Sequence, residues 1–221
     1  KVRANGGVMH TDAVQAAGKI EVDFSASGAH LMSLSAHKIN GPKGVGALIA
    51  DKSVELSPLL QGGGQEKGQR SGTENVAGIA GFGAAASLAK AQLADYGARM
   101  RSLRDRLESE LQLLGDIGIF GAQANRLPNT VCFGMNGVDG ETLLLSLDRA
   151  GIAVSSGSAC ASSHREPSPV LQAMGIDPAL ALSAIRVSFG AGNTAQDVDA
   201  FIAALAAQLR QLRRMTGRAV G

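Results

Sequence analysis

The sequence predicts an α/β fold, and three observations carry that expectation. Short apolar runs of strand length recur along the chain, stretches with helical periodicity lie between them, and turn residues separate the two. The 221 residues include 29 glycines, many of them between the apolar runs, as loop-rich α/β enzymes require. Two long helical stretches in the middle mark where one domain gives way to the next, which predicts domains over 1–93 and 94–221.

In chain order, Val8 to Ala13 reads as a short strand carrying an acid, Asp12, followed by one or two helical turns to Gly18. Glu21 to Phe24 reads as a brief extended segment. Leu31 to Leu34 is apolar and short, a buried strand, and Gly41-Pro42-Lys43-Gly44 is a turn cluster leading into a strand over Val45 to Ala50. Leu59 to Asn75 is a long polar loop rich in glycine, and loops of that length in compact enzymes are usually functional. Val76 to Leu93 is rich in Ala, Leu and Gly and reads as a buried helix. Asp95 to Leu114 places Met100, Leu103, Leu107, Leu111 and Leu114 at helical spacing with charges between them, an amphipathic surface helix.

The second half alternates again. Strands are expected at Gly118 to Gly121, Asn129 to Gly134, Ile152 to Ser155 and Ile185 to Phe189, and a helix at Gly140 to Ala150. A closing helix, Ala195 to Arg213, sets Val198, Ile202, Leu205 and Leu209 on one face.

Composition narrows the function. No Trp and one Tyr argue against a surface that stacks nucleic-acid bases, and a net charge of +2 is too small to imply nucleic acid or an anionic membrane. No apolar run is long enough to span a bilayer. The first residues, Lys1 to Gly7, are polar and do not read as a signal peptide. Two cysteines without paired spacing make no disulfide framework, so the expected compartment is the reducing cytoplasm. No metal site is expected.

Several residues stand out chemically. Lys38 sits where a buried strand runs into a loop, a place where lost hydration disfavours the ammonium and favours the neutral amine that Schiff-base chemistry needs. Ser35 and His37 beside it are short donors suited to a phosphate. Standing alone, Ser-x-His-Lys reads as an ordinary strand-to-turn lysine. Asp12 lies at a strand's carboxyl end, where α/β sheets present ligands, although Asp is also a good helix N-cap. Gln15 follows three residues later on the same side of a helical turn. Arg70, Ser71 and Thr73 are candidates to grip a phosphate beside the amides of a helix starting near Glu74, and a plain connecting loop is the alternative. Cys132, in Val-Cys-Phe, fits the usual buried cysteine. Cys160 lies instead among small polar residues, Ser155 to Pro167, where a thiolate can attack, with His164 and Arg165 near it. Arg186 interrupts an apolar strand and must meet an anion or turn outward; a carboxylate clamp and a structural ion pair are the two readings.

Together these stretches resemble the cysteine desulfurases of the NifS/IscS type, members of the fold-type-I pyridoxal-phosphate enzymes. The matching pieces are His10 to Lys19, Ser33 to Gly44, Gly62 to Thr73, Arg126 to Asn129, Val138 to Glu141, Ser155 to Ser162 and Arg186 to Gly190. The resemblance runs almost end to end. It implies a remaining part of a mixed large-domain sheet in 1–93, and a small α/β domain carrying the cysteine loop in 94–221. It implies that Lys38 holds pyridoxal 5'-phosphate covalently, Asp12 pairs with the pyridine nitrogen, Gln15 reaches the phenolic oxygen, and Ser35 and His37 hold the phosphate. Thr73 resembles the residue lent to the phosphate of the neighbouring subunit, which implies a homodimer. Arg186 would bind the carboxylate of L-cysteine, and Cys160 would take its sulfur as a persulfide, leaving alanine. The acceptor would be an iron–sulfur scaffold or another sulfur-carrier protein.

Members of that family carry a substantial N-terminal half with no counterpart here, including a histidine that stacks on the pyridine ring; His10 is not that residue. The expectation is a C-terminal portion of a longer enzyme, with the missing half either left out or present as a separate chain. Two rival readings stand beside it. One keeps the cofactor but changes the reaction to that of a selenocysteine lyase, a kynureninase or an aminotransferase; the other is a non-catalytic module that binds scaffold proteins. The basic end, Arg210 to Arg218, reads mainly as a dipole complement at a helix terminus.

Overall fold

The computed structural model describes residues 1–156 and 166–215, with side chains through 212. The chain divides into two compact units, Lys1–Tyr96 and Gly97–Gly221.

The first unit is built on a three-stranded mixed sheet. Strand β1 (His10–Asp12) lies parallel to β2 (Leu31–Ser35), which pairs antiparallel with β3 (Gly46–Ala50). The register sets Asp12 opposite Ser33, and Ser33 opposite Leu48. Side chains alternate along a strand, so His10, Asp12, Ser33 and Ser35 share one face while Met32 is buried on the other. Extended structure expected over Glu21 to Phe24 gives way to a short helix, α1 (Phe24–Ser27). The cause is Asp23, whose carboxylate accepts a hydrogen bond from Ala26 N and caps it, with Gly28 closing it in the left-handed conformation.

Helix α2 (Val76–Ala91) corrects a second expectation. Only Gly78 and Ala85 are buried on it, whereas Val76, Ile79 and Leu88 are 72%, 45% and 61% exposed. Within this unit the helix packs through its small residues. A Cβ added at Gly41 would lie 3.1 Å from Ala85 Cβ, and one at Gly81 would lie 3.0 Å from Pro42 Cγ. The Ala- and Gly-rich composition therefore records close backbone approach rather than a helix buried all round.

The second unit holds an antiparallel sheet in the order β4 (Ile117–Ile119), β5 (Thr130–Met135), β7 (Ile185–Ser188), β6 (Ser155–Ser156). Helix α3 (Leu93–Leu113) buries Met100, Leu103, Leu107 and Leu111 of the expected apolar stripe, whereas Leu114 lies beyond its end and is half-buried. Helix α4 (Gly140–Arg149) is capped by Asp139, which accepts from Thr142 N, and buries Leu143 and Leu147. Helix α7 (Ala195–Met215) buries Val198, Phe201, Leu205 and Leu209, and Phe201 meets Phe133 of β5 edge to face with ring centroids 6.3 Å apart. Phe201 takes the inward place that the heptad-like spacing assigned to Ile202, which is half-buried. Each fully buried leucine here stabilises the fold by about 1.5–3 kcal/mol. The other face of the sheet carries a smaller cluster of Phe120, Leu171, Ala181 and Ala184, against which Cys132 packs.

Two short helices, α5 (Pro169–Ala173) and α6 (Pro178–Leu182), are additions to the expected elements. Both start with Pro at the first turn, and Asp177 caps α6 through Ala179 N and Leu180 N. Strand β6 is shorter and later than the expected 152–155 run, because only Ser155 and Ser156 pair with β7. Among the described residues no single helix is long and apolar enough to cross a membrane.

Candidate active site

Strands β1 and β2 run parallel, so their carboxyl ends emerge on the same side, and the segments that follow them are locked together. Ala13 N donates to Ser33 O at 3.0 Å, which ties the start of the turn after β1 to β2. Further on, Gly18 has φ +72°, a left-handed backbone that suits glycine. A Cβ there would sit 2.8 Å from Ile39 Cγ2 and 3.3 Å from Ala89 Cβ. The turn after β1 therefore touches the turn after β2, and Lys19 lies within electrostatic reach of Lys38.

Lys38 itself stands on a single 3-10 turn, Ala36–Ile39. Ala36 is fully buried and Ile39 half-buried, while His37 and Lys38 project outward. The turn closes at Asn40, left-handed with φ 64°, and Gly41 N donates to Ala36 O at 2.9 Å. A Cβ at Gly41 would come within 2.9 Å of that same oxygen, so glycine is required for the chain to leave the turn. Lys38 is exposed, contrary to the expectation that burial would desolvate it. Ala36 and Ile39 fill the inward positions of so short a turn, which leaves its two basic residues on the open side.

Around Lys38 the remaining groups are individually oriented. Asp12 Oδ1 accepts from Val14 N at 2.9 Å, which fixes the carboxylate and leaves Oδ2 available to a cationic donor. Ser35 Oγ and His37 Nδ1 are 2.8 Å apart. Whichever of the two donates, the pair keeps a further N–H or O–H facing outward, a suitable donor to a phosphate oxygen. Lys19 Nζ donates to Gln15 O at 2.9 Å and to Gln15 Oε1 at 3.3 Å. Burial lowers the Lys19 pKa from its ordinary value, and the positive charge of Lys38 adds to that lowering. On the same sheet face, His10 Nε2 lies 2.8 Å from Ser33 Oγ. Residue types alone do not reveal the Lys19–Gln15 and His10–Ser33 pairs, although Gln15 and Lys19 stand at the i, i+4 spacing that brings side chains together on a helical turn.

The glycine-rich loop is more structured than its composition suggests. A tight turn over Gln65–Gly68 holds Glu66 and Lys67 in the left-handed conformation, at φ 49° and 56°. Gln65 Oε1 accepts from Gly72 N, and Ser71 Oγ donates to Gly63 O at 2.8 Å. The Ser71 hydroxyl thus closes the loop on itself rather than facing a ligand. Arg70 and Thr73 are exposed, and α2 begins at Val76 with Asn75 as its cap, close to Glu74 as expected.

In the second unit Arg186 turns outward from β7, opposite the buried Ile185 and Val187. It registers with Cys132 on β5 and with Ser155 on β6. It forms no ion pair among the described residues, so the clamp reading keeps a free guanidinium while the structural-pair reading finds no partner there. Burial pushes the Cys132 thiol above its ordinary pKa, and the Arg186 charge opposes that shift. Cys160, His164 and Arg165 lie outside the described residues. Of the expected site residues, the first unit therefore gathers Asp12, Gln15, Ser35, His37 and Lys38, with Thr73 on its loop, and the second carries Arg186.

This arrangement has close relatives. The aminotransferase class-V family profile matches residues 1–201. A cysteine desulfurase of Gluconacetobacter diazotrophicus is 47% identical over 212 residues, covering 96% of this chain and 53% of the relative. Another from Rhodobacter capsulatus is 45% identical over 213 residues, covering 96% and 56%. The cysteine desulfurase IscS of Clostridium botulinum is 43% identical over 210 residues, covering 94% and 53%. Among solved structures, a NifS-like protein from Rickettsia africae superposes with a TM-score of 0.85 at 34% identity, covering 96% of this chain and 55% of that one. The chain thus spans about half the length of the relatives it matches. Matched over nine-tenths of its length by the family profile, this chain belongs to the aminotransferase class-V family.

Proposed function

We propose that the protein is a pyridoxal-phosphate-dependent cysteine desulfurase that converts L-cysteine to L-alanine and holds the sulfur on Cys160. The observation that carries the reading is the donor set at the carboxyl ends of β1 and β2. At or just after those strand ends lie an exposed amine, a carboxylate with one fixed oxygen, an oriented carboxamide and a Ser–His pair. That set fits pyridoxal phosphate in kind. Lys38 would be the nucleophilic amine for its aldehyde, Asp12 would hold its ring nitrogen, Gln15 its phenolic oxygen, and Ser35 with His37 its phosphate. When bound, the cofactor supplies an electron sink for bond breaking next to the amino-bearing carbon.

The protein's own part is then to bind, orient and move protons. Arg186 clamps the substrate carboxylate with two parallel N–H donors. Lys38 accepts the proton from Cα and returns one later, as general base and acid. The Cys160 thiolate attacks the substrate sulfur; the sulfur–carbon bond breaks, its electron pair stays on carbon, and carbon takes a proton to become alanine. Cys160 is left as a persulfide whose outer sulfur passes to an iron–sulfur scaffold or another carrier. The rest of the reading is a cytoplasmic homodimer in which Thr73 serves the phosphate of the neighbouring subunit, the large-domain portion ending near residue 93. A companion segment supplies what the relatives hold beyond this chain, on the same polypeptide or a second one.

The test is alanine and sulfide production from L-cysteine by the full-length protein, with C160A and K38A beside it. Alanine formation lost in both variants is the expected result. C160A retaining full sulfide release would overturn the role of the cysteine and favour a lyase or aminotransferase.

A further inference from the structure

We propose that Lys19 is a positioning residue for the cofactor site: it fixes the Gln15 carboxamide so that its NH2 group, not its oxygen, faces the ligand. The inference rests on the pyridoxal-phosphate reading above and adds to it a residue that does not itself touch the cofactor. An amide side chain presents an oxygen or an NH2 group to a ligand depending on a rotation of half a turn, and the two ends have opposite hydrogen-bonding character. An ammonium has three donors and no acceptor, so it engages the carboxamide only through oxygen. Lys19 Nζ lies 3.3 Å from Gln15 Oε1 and is itself anchored by Gln15 O at 2.9 Å. With Oε1 held, Nε2 remains as an outward donor, the character required to stabilise an ionised phenolic oxygen.

Placement of Lys19 is enforced on both sides. It follows Gly18, whose close contact with Ile39 pins the turn against the Lys38 turn. Lys19 is half-buried rather than ranging through solvent, and it lies within electrostatic reach of Lys38. An ammonium held beside another ammonium is unfavourable unless something retains it, and the two oxygens of Gln15 do so.

The experiment uses full-length protein loaded with pyridoxal phosphate and reads two quantities other than turnover: the pH midpoint of the visible absorbance of the Lys38-bound cofactor, and the cofactor's Kd. In Lys19→Met the carboxamide is free to rotate, so the midpoint should rise by about 0.5–1 pH unit and the Kd by about 3–10-fold. Lys19→Arg keeps a donor-only cation and should stay near wild type, which separates orientation from a general loss of folding. In a Gln15→Leu background the Lys19→Met shift should largely vanish, because Lys19 acts through Gln15. An unchanged midpoint and Kd in Lys19→Met, or a shift undiminished by Gln15→Leu, would overturn the inference while leaving the cofactor reading intact. Wild-type protein that forms no Lys38-linked absorbance would instead overturn the cofactor reading and this inference with it.

Discussion

Replacing Gly18 by alanine probes the contact that joins the two ligand-bearing turns. The new Cβ would meet Ile39 Cγ2 at 2.8 Å, closer than real Cβ contacts allow, and the residue would keep a left-handed backbone at φ +72°. A side chain in that conformation costs about 1–2 kcal/mol, and overpacking of this kind costs about 1–3 kcal/mol more. Gly18→Ala should therefore destabilise the first unit by roughly 2–5 kcal/mol. The two contributions separate in a double-mutant cycle with Ile39→Ala. Removing Cγ2 leaves Ala89 Cβ at 3.3 Å and Ile39 Cβ at 3.6 Å as the nearest atoms, so the backbone part and a reduced packing part should remain. Urea unfolding followed by circular dichroism should give a coupling of about 1–3 kcal/mol between the two substitutions. Additivity within about 0.5 kcal/mol would refute the close approach, and with it the placement of Gln15 and Lys19 beside Lys38.

Three further outcomes are expected. Arg126 grips Glu108 through two hydrogen bonds, 2.8 and 3.2 Å, with both side chains less than a fifth exposed, so Glu108→Gln should lower stability by about 2–4 kcal/mol in urea titrations. Cys132 should be alkylated slowly at pH 8, and Arg186→Leu should slow it further, because losing the opposing cation raises the thiol pKa again; peptide-resolved mass spectrometry reads this directly. Asp51 is held at a pKa of about 2 by hydrogen bonds from Ser53 N and Oγ, with Arg3 adding to them. Its folded value lies below its ordinary 3.8, so the stability it contributes is present above that value and is lost as pH falls toward about 2. An NMR titration of Asp51 should show that midpoint and its rise in Ser53→Ala.

Strong local patterns were legible in the sequence. The α3 stripe, the alternation around Arg186, and the strand ends bearing Asp12 and Lys38 follow from spacing alone, because burial periodicity is a local property. What spacing cannot supply is which surfaces meet. The small residues of α2 look like a buried helix, yet Gly81 and Ala85 mark close approach to Pro42 and Gly41, a contact between segments some 40 residues apart in the chain. Lys38 was expected to lose water from its position after a buried strand, but burial within a 3-10 turn falls on Ala36 and Ile39. Lys19 carries no signal in the sequence for the related reason that a lysine near a turn usually faces solvent, and only the fold shows its ammonium seated on Gln15. Short helices α5 and α6 are hidden because five residues carry too little periodicity, although Pro169 and Asp177-Pro178 are recognisable start signals.

The most direct measurement is borohydride reduction of the full-length protein with pyridoxal phosphate, followed by peptide mass spectrometry. The proposed site predicts a single reduced phosphopyridoxyl group on Lys38, abolished in Lys38→Ala and weakened in Asp12→Ala. Label spread over surface lysines, or concentrated on Lys19 or Lys43 with Lys38 unmodified, would contradict it.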